Sequence, residues 1–235
     1  MEVAIPVRSQ RILRLHVLTV AILSALFTTT SQAKTINVPD RAGSESRVDI
    51  STGLALNDTT YSTDKDVHYN VSSTEKDAVG ILLNRTAGTF SQSVTLSVSA
   101  HQGSAKGISA QGQGGEVLNI GKVDLQRVES SDEAYGLYLS HMQTTVGSLT
   151  GTVISSQNDA YGLYAYQKTL DVGQVHNLTV VSEDKNAYGI YLSDMESAQI
   201  GDISLTVMGD NAQGCQATFP MPPKTTFRET PLRNS

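Results

Sequence analysis

Short apolar segments with alternating side chains recur along most of the chain at nearly constant spacing. The clearest is Ala134–Leu139 (AYGLYL), which returns as Ala160–Ala165 (AYGLYA) and as Ala187–Leu192 (AYGIYL). Weaker copies begin at Ala78, Ala105 and Ala212. The leading alanines are 27, 29, 26, 27 and 25 residues apart. Alternation over so few residues is typical of a β-strand, and a period of this length is typical of a solenoid.

Two further apolar segments follow within each unit, and a polar turn closes it. A glycine-centred segment such as Val172–Val175 comes first, and a third segment such as Leu178–Val180 comes next. Three strands this short cannot bury a face alone, but each can pair with its counterpart in the next coil, about 4.8 Å away. The pattern therefore predicts an all-β fold: a right-handed parallel β-helix of about six coils of ~26 residues, with three short strands per coil.

The alternation also predicts which side chains face the interior. Tyr135, Leu137 and Leu139 share one parity and are expected to point inward, together with their counterparts in the other coils. Ala134, Gly136 and Tyr138 are then expected to face out. The recurring glycines are expected at corners where a positive φ is needed. Three successive coils then present an outward tyrosine, and these residues form a candidate ligand-facing aromatic ladder: Tyr138, Tyr164 and Tyr191. The alternative is that like residues stacked in successive coils only stabilise the solenoid itself.

The sequence pattern divides the chain into four predicted segments. Residues 1–33 combine a basic start, an apolar run from Val17 to Phe27 and a small-residue junction at Ser31-Gln32-Ala33, which predicts a secretory signal peptide. Residues 34–70 are weakly patterned and are interpreted as an N-terminal cap or a degenerate coil. The β-helix repeats span 71–214. Residues 215–235 contain four of the six prolines, and they are expected to form a disordered or frame-shifted tail that does not continue the ladder.

Composition and charge narrow the function classes. Hydrophobic residues make up 39% and aromatic residues 6%, with no Trp, which suits a solenoid better than a globule around one centre. Without residues 1–33 the chain carries 14 basic and 22 acidic side chains, a net charge of −8. Such a surface disfavours nucleic acid and anionic membranes as partners. Cys215 is the single cysteine in the sequence, so a disulfide within it is excluded.

An export signal, near-absence of cysteine and repeated A-Y-G-[LI]-Y units together resemble the passenger region of Gram-negative autotransporter proteins. The resemblance covers roughly residues 1–214 and rests on repeat style rather than on a catalytic signature. It implies a surface-displayed or secreted β-helix, often an adhesin, delivered by a C-terminal membrane barrel. This sequence contains no run of barrel-type strands after the repeats, so it is interpreted as a truncated passenger, periplasmic as it stands.

Acidic and amide side chains near the repeats have both a chemical and an ordinary structural interpretation. Carboxylate and amide side chains recur in the turn before each AYG segment and could hold Ca²⁺, although turn preference explains them equally well. These turn residues are Asp77, Asp132, Glu133, Asn158, Asp159, Asp184, Asn186, Asp210 and Asn211. No metal and no cofactor are therefore expected.

An enzyme of the β-helical polysaccharide-active type needs acids and bases clustered on one face. The basic residues and His68, His101, His141 and His176 occupy unrelated phases of the repeat, so no catalytic residues are assigned. The leading hypothesis is a non-enzymatic adhesin-type protein that meets a host glycan or matrix protein through the tyrosine ladder. The alternatives are a fragment of a β-helical polysaccharide-active enzyme and a non-functional truncated product.

Overall fold

A computed structural model describes the backbone of residues 35–38, 50–219 and 224–227, and the side chains of residues 51–219. The predicted signal peptide, residues 1–33, lies outside the described residues. The described part contains β-strands and turns without a helix, and all of it belongs to one unit, Ala33–Ser235. It is a parallel β-solenoid of about six turns of about 27 residues, which confirms the predicted fold class.

Each coil contributes one short strand and one long strand to two separate parallel sheets. The short strands hold the AYG segments and pair in the order β15-β13-β11-β9-β7-β5-β2 within the described residues. Their bounds are β2 Ile50–Asn57, β5 Asp77–Asn84, β7 Ala105–Gln111, β9 Ala134–Ser140, β11 Ala160–Tyr166, β13 Asn186–Ser193 and β15 Asn211–Ala217.

The long strands unite the two segments that were predicted as separate strands. They pair in the order β1-β4-β6-β8-β10-β12-β14-β16, and β3 pairs with β6. Their bounds are β1 Thr35–Val38, β3 Thr60–Thr63, β4 Val67–Ser73, β6 Ala87–Ala100, β8 Val117–Ser130, β10 Gln143–Ser155, β12 Thr169–Ser182, β14 Ser197–Met208 and β16 Lys224–Phe227. The register shifts midway, as between Val175 and Leu178 of β12, where the second and third predicted segments of the coil meet. The bend is absorbed as a bulge within one strand.

Stacked columns of aliphatic side chains form the core between the two sheets. Ile108, Leu137, Leu163 and Ile190 lie in register in successive short strands and are almost completely buried. Val98, Val128, Val153 and Val180 do the same in the long strands. Because each layer buries its residues only against its neighbours, the core is a linear spine rather than a single centre.

The predicted orientation of the first half of the AYG segment is wrong. Ala134 is fully buried, and a Cβ added to Gly136 would lie 2.7 Å from Cδ1 of the core residue Leu125, so both positions face inward. Tyr135 is only 8% exposed, but its ring lies on the outer side of the sheet, where it stacks on Tyr161 and meets Tyr138 edge to face, and it is not part of the core cluster. Leu137 is fully buried again. The alternation is therefore interrupted between Gly136 and Leu137.

The recurring glycines are explained by close approach of neighbouring coils. None of the glycines of the AYG segments has a positive φ; among described glycines, that conformation occurs at Gly103, Gly114 and Gly151. A Cβ on Gly162 would instead lie 2.5 Å from the carbonyl oxygen of Gly189 in the next coil. The expectation of a left-handed conformation is thus wrong for the repeat glycines, where the missing Cβ lets the coils approach.

A buried serine stabilises the turn after each of several long strands. Ser155 is fully buried, its Oγ donates to the carbonyl oxygen of Asp132, and it accepts from the backbone N–H of Asn158 at 3.1 Å. Ser182 repeats this arrangement one coil later, donating to the Asn158 carbonyl oxygen at 2.8 Å. Each serine therefore links its own turn to the turn of the preceding coil.

Paired strands occur on both sides of the predicted repeat range, residues 71–214. Residues 50–73 form a coil whose short strand β2 pairs in register with β5, while its long strand is divided into β3 and β4. At the other end, β15 continues to Ala217, three residues past the predicted end at Gly214, with Cys215 opposite Ile190. The backbone of β16 pairs with β14 as well. Strand pairing thus continues into the segment that was predicted as a tail, of which residues 220–223 and 228–235 lie outside the described residues.

Candidate functional site

The predicted tyrosine ladder is one half of a double row on the short-strand sheet. Tyr138, Tyr164 and Tyr191 stack with centroid separations of 5.1 and 5.2 Å and interplanar angles of 2° and 5°. A second row stacks beside it at 4.8 and 5.0 Å, and it consists of Tyr135, Tyr161 and Tyr188. We call these six residues the tyrosine face.

The interruption at the central glycine brings the two rows together. Residues three apart in a regular strand point to opposite sides, but here Tyr135 and Tyr138 both face out. Their rings meet edge to face at 5.4 Å, and Tyr161 and Tyr164 do so at 5.5 Å. Edge-to-face and stacked contacts are both favourable, each contributing about 0.5–1.5 kcal/mol beyond area burial. The face is therefore a rigid, self-packed aromatic surface.

Lys106 occupies the position of Tyr135 in the preceding coil, and a lysine at this position indicates that the second row faces out. The structure pairs Lys106 with Tyr135 in register, and its Nζ lies 5.4 Å from the Tyr135 ring centroid and 4.9 Å from that of Tyr138. A lysine is rarely buried without a partner, so its position in the repeat indicated a solvent-facing column. At the other end, Gln213 and Gln216 lie in register with Tyr188 and Tyr191.

Carboxylates in the preceding turns accept hydrogen bonds from the second row. The Tyr135 hydroxyl donates to Glu133 at 2.8 Å, and the Tyr161 hydroxyl donates to Asp159 at 3.1 Å. Burial, then the Glu133 hydrogen bond and charge, raise the pKa of Tyr135 well above its usual range. Burial and the charge of Asp159 raise the pKa of Tyr161 in the same way. Burial also raises the pKa of Tyr164.

The acidic and amide turn residues form hydrogen bonds between coils. Asp159 accepts from the backbone and side-chain N–H groups of Asn186, at 3.1 and 3.0 Å, and Asn211 donates to Asn186 at 2.8 Å. Asn158 donates to Asp132 at 2.6 Å. Among the residues with described side chains, no group of three or more His, Cys, Asp or Glu side chains is arranged to hold a metal ion. Their oxygens serve as a polar ladder that joins the turns.

The candidate acid–base residues are dispersed. Arg127 pairs with Glu129 at 2.6 Å and Lys168 pairs with Glu196 at 2.9 Å, both on the surface. Nδ1 of His141 lies 2.6 Å from Oγ of the adjacent Ser140, and its ring meets the edge of Tyr166. These contacts are local to separate turns of the solenoid.

Two shallow cavities lie on the described surface of the long-strand sheet. One of about 270 Å³ crosses the starts of β10, β12 and β14, and we call it the trough. The other, of about 220 Å³, lies at the turn after β6 and β8 and is lined by His101, Glu129 and several serines. Sequence reasoning missed both, because residues that face out in successive long strands are far apart along the chain.

No family model, no curated protein and no solved structure matches this chain. The parallel β-solenoid and its tyrosine face are therefore interpreted from their own geometry. Nowhere in the described segments does a helix reach the length and apolar character required to cross a bilayer.

Proposed function

We propose that the protein is an exported, non-enzymatic surface protein of adhesin type, and that its tyrosine face binds an extracellular matrix protein. The observation that carries the proposal is the double row itself, in which six tyrosines lie in register over three coils. Tyrosine is enriched in protein-binding surfaces because it offers a large amphipathic contact with few rotatable bonds. A row already held in place by stacking loses little side-chain entropy on binding.

The stacking geometry favours a protein partner over a sugar for this face. A sugar ring binds tyrosine by lying against the flat face of the aromatic ring, but the faces of Tyr161 and Tyr164 are covered by the rings of the adjacent coils. The lysine at one end lies over the ring of Tyr135 as well. Ring edges and hydroxyl groups are left for a partner, and these suit hydrogen bonding and edge contacts with a polypeptide.

Export and surface display belong to the same proposal. They are supported by the signal-like residues 1–33 and by the resemblance of the A-Y-G-[LI]-Y repeats to autotransporter passengers. A solenoid suits display, since every coil repeats the same outward positions along a rigid rod. A β-helical polysaccharide-active enzyme is the competing function, and turnover distinguishes it from an adhesin.

Binding of the full chain to a panel of immobilised matrix proteins tests the proposal. We expect saturable retention that falls strongly in the variant with Tyr138, Tyr164 and Tyr191 all changed to Ala. The same three positions changed to Phe keep the stacking and remove only the hydroxyl groups, so an intermediate loss is expected. Tyr166→Ala is the matched control, because Tyr166 lies on the same strand but outside the tyrosine face. Equal retention of the triple Ala variant and the wild type, or polysaccharide turnover without retention, contradicts the proposal.

A further inference from the structure

The trough on the long-strand sheet runs along the solenoid axis between two rows of polar side chains. In each strand the residues that form its two walls are separated by one residue, so the backbone of the intervening position forms the floor. One wall consists of Val117, Gln143, Thr169 and Ser197, and the other of Thr145, Asp171 and Gln199. Val117, at one end of the trough, is the one apolar member of the walls. Thr145, Asp171 and Gln199 lie in register in successive coils, as do Thr169 and Ser197.

The chemistry of the walls selects a neutral, hydroxyl-rich ligand. They present amide, hydroxyl and carboxylate groups, and Asp171 is the one charged side chain that lines the trough. Lys168, at the adjacent turn, is paired with Glu196 at 2.9 Å. Glu116 lies next to Val117 at one end, and backbone N–H groups, led by that of Gln113, hold its pKa below the usual range. Among the described side chains, the charge near the trough therefore opposes an anionic ligand, and the polar wall residues oppose an apolar one.

The repeat of the walls selects a linear ligand. Equivalent side chains recur about every 4.8 Å along the axis, because each coil adds one parallel strand. An extended β-1,4-linked hexose chain advances by a similar distance per sugar, so its hydroxyl groups can meet equivalent wall positions in successive coils. At about 270 Å³ the trough is at the lower limit of small-molecule sites, and it encloses only a short stretch of such a chain at a time.

We propose that the trough is a binding site for a neutral, linear, β-1,4-linked polysaccharide lying parallel to the solenoid axis. Asp171 accepts hydrogen bonds from sugar hydroxyl groups at the centre, and Gln143 and Gln199 donate and accept on either side. The site lies on the long-strand sheet and the tyrosine face lies on the short-strand sheet. It is therefore a function beyond the proposed adhesion and does not depend on it.

Calorimetric titration of the full chain with cellohexaose, and with an oligogalacturonate of equal length, tests the proposal. We expect saturable binding of the neutral hexamer and none of the anionic one. Asp171→Asn is expected to weaken binding about threefold to tenfold, because the amide oxygen still accepts a hydrogen bond and only the strengthening by the negative charge is lost. The double variant Gln143→Ala with Gln199→Ala is expected to weaken it about tenfold or more.

Asp202→Asn is the matched control, because Asp202 faces out on β14 and does not line the trough. It changes the charge equally and is expected to leave binding as in the wild type. The triple Tyr→Phe variant of the tyrosine face should also bind cellohexaose normally, which separates this site from the proposed adhesion. Failure of cellohexaose to bind overturns the proposal, as does equal weakening by Asp171→Asn and Asp202→Asn in variants whose circular dichroism matches the wild type.

Discussion

Replacing Gly162 with Ala tests whether close approach of coils is the reason for the repeated glycine. The new Cβ would lie 2.5 Å from the carbonyl oxygen of Gly189, 2.7 Å from Cδ2 of Leu178 and 2.9 Å from Cγ2 of Val180. The strands are paired on either side of these glycines, Tyr161 with Tyr188 and Leu163 with Ile190, so relief requires separation of the coils. Overpacking of a core typically costs about 1–3 kcal/mol, and the reduced entropy of the unfolded chain offsets about 0.4–1 kcal/mol.

The net destabilisation is therefore about 1–2 kcal/mol, which lowers the urea midpoint by about 0.5–1 M at a typical denaturant dependence. Equilibrium unfolding by urea, followed by far-ultraviolet circular dichroism, measures this shift. Gly115→Ala is the matched control, since its new Cβ would have no heavy atom within 4 Å. That variant is expected to unfold at the wild-type midpoint or slightly above it. If Gly162→Ala unfolds at the same midpoint as Gly115→Ala, close approach is not the reason for the glycine.

Three further changes follow from single groups. Thr144→Val should raise the free energy of unfolding, measured by urea titration, by about 1 kcal/mol. Among the buried side-chain nitrogens and oxygens of the described part, Thr144 Oγ1 alone has no hydrogen-bond partner. Ser155→Ala should lower the free energy of unfolding by about 1–3 kcal/mol, because two polar backbone groups lose their partner; exposed Ser204→Ala is the control and should be neutral. The raised pKa values of Tyr135 and Tyr161 mean that the folded state favours the neutral phenol. Their contribution to the free energy of unfolding is therefore complete below pH ~10, the usual pKa of tyrosine, and is lost as the pH rises towards the pKa values of the folded state. Phenolate absorbance should therefore rise together with unfolding for these two residues, and their full ionisation in the folded protein near pH 10 would refute this.

The architecture was predictable because it depends on repetition. Alanines of the AYG segment recur at intervals that match the strand registers, so Ala134, Ala160 and Ala187 are paired in the structure as their spacing required. Parallel stacking follows when equal segments must bury equal faces, and each column is then filled by like residues such as Leu137 and Leu163. The local sequence pattern and the overall fold agree here, and this agreement is what allows the fold to be predicted from the pattern.

The side of the sheet that each residue faces was harder to predict, because one irregular residue reverses the predicted side of every residue that precedes it in the strand. Regular alternation through Gly136 predicts that Tyr135 lies in the core and that Ala134 faces out. In the structure Ala134 points into the core, and Tyr135 is buried on the outer side of the sheet against Tyr138, since the alternation is interrupted at the glycine. Lys106 lies in register with Tyr135 in the preceding coil, and a lysine at this position indicates an outward orientation, since lysine is rarely buried.

The sequence by itself determined the repeat, the parallel pairing of coils and the outward place of Tyr138 and its counterparts, because all three depend on spacing and period. The tertiary structure alone decided that six tyrosines form one face, that the glycines serve close approach and that polar rows enclose a trough. These features arise between coils, where side chains about 27 residues apart come into contact across one strand spacing. No pattern within a single coil specifies such a contact, since it depends on the bend that each strand makes and on the distance between layers.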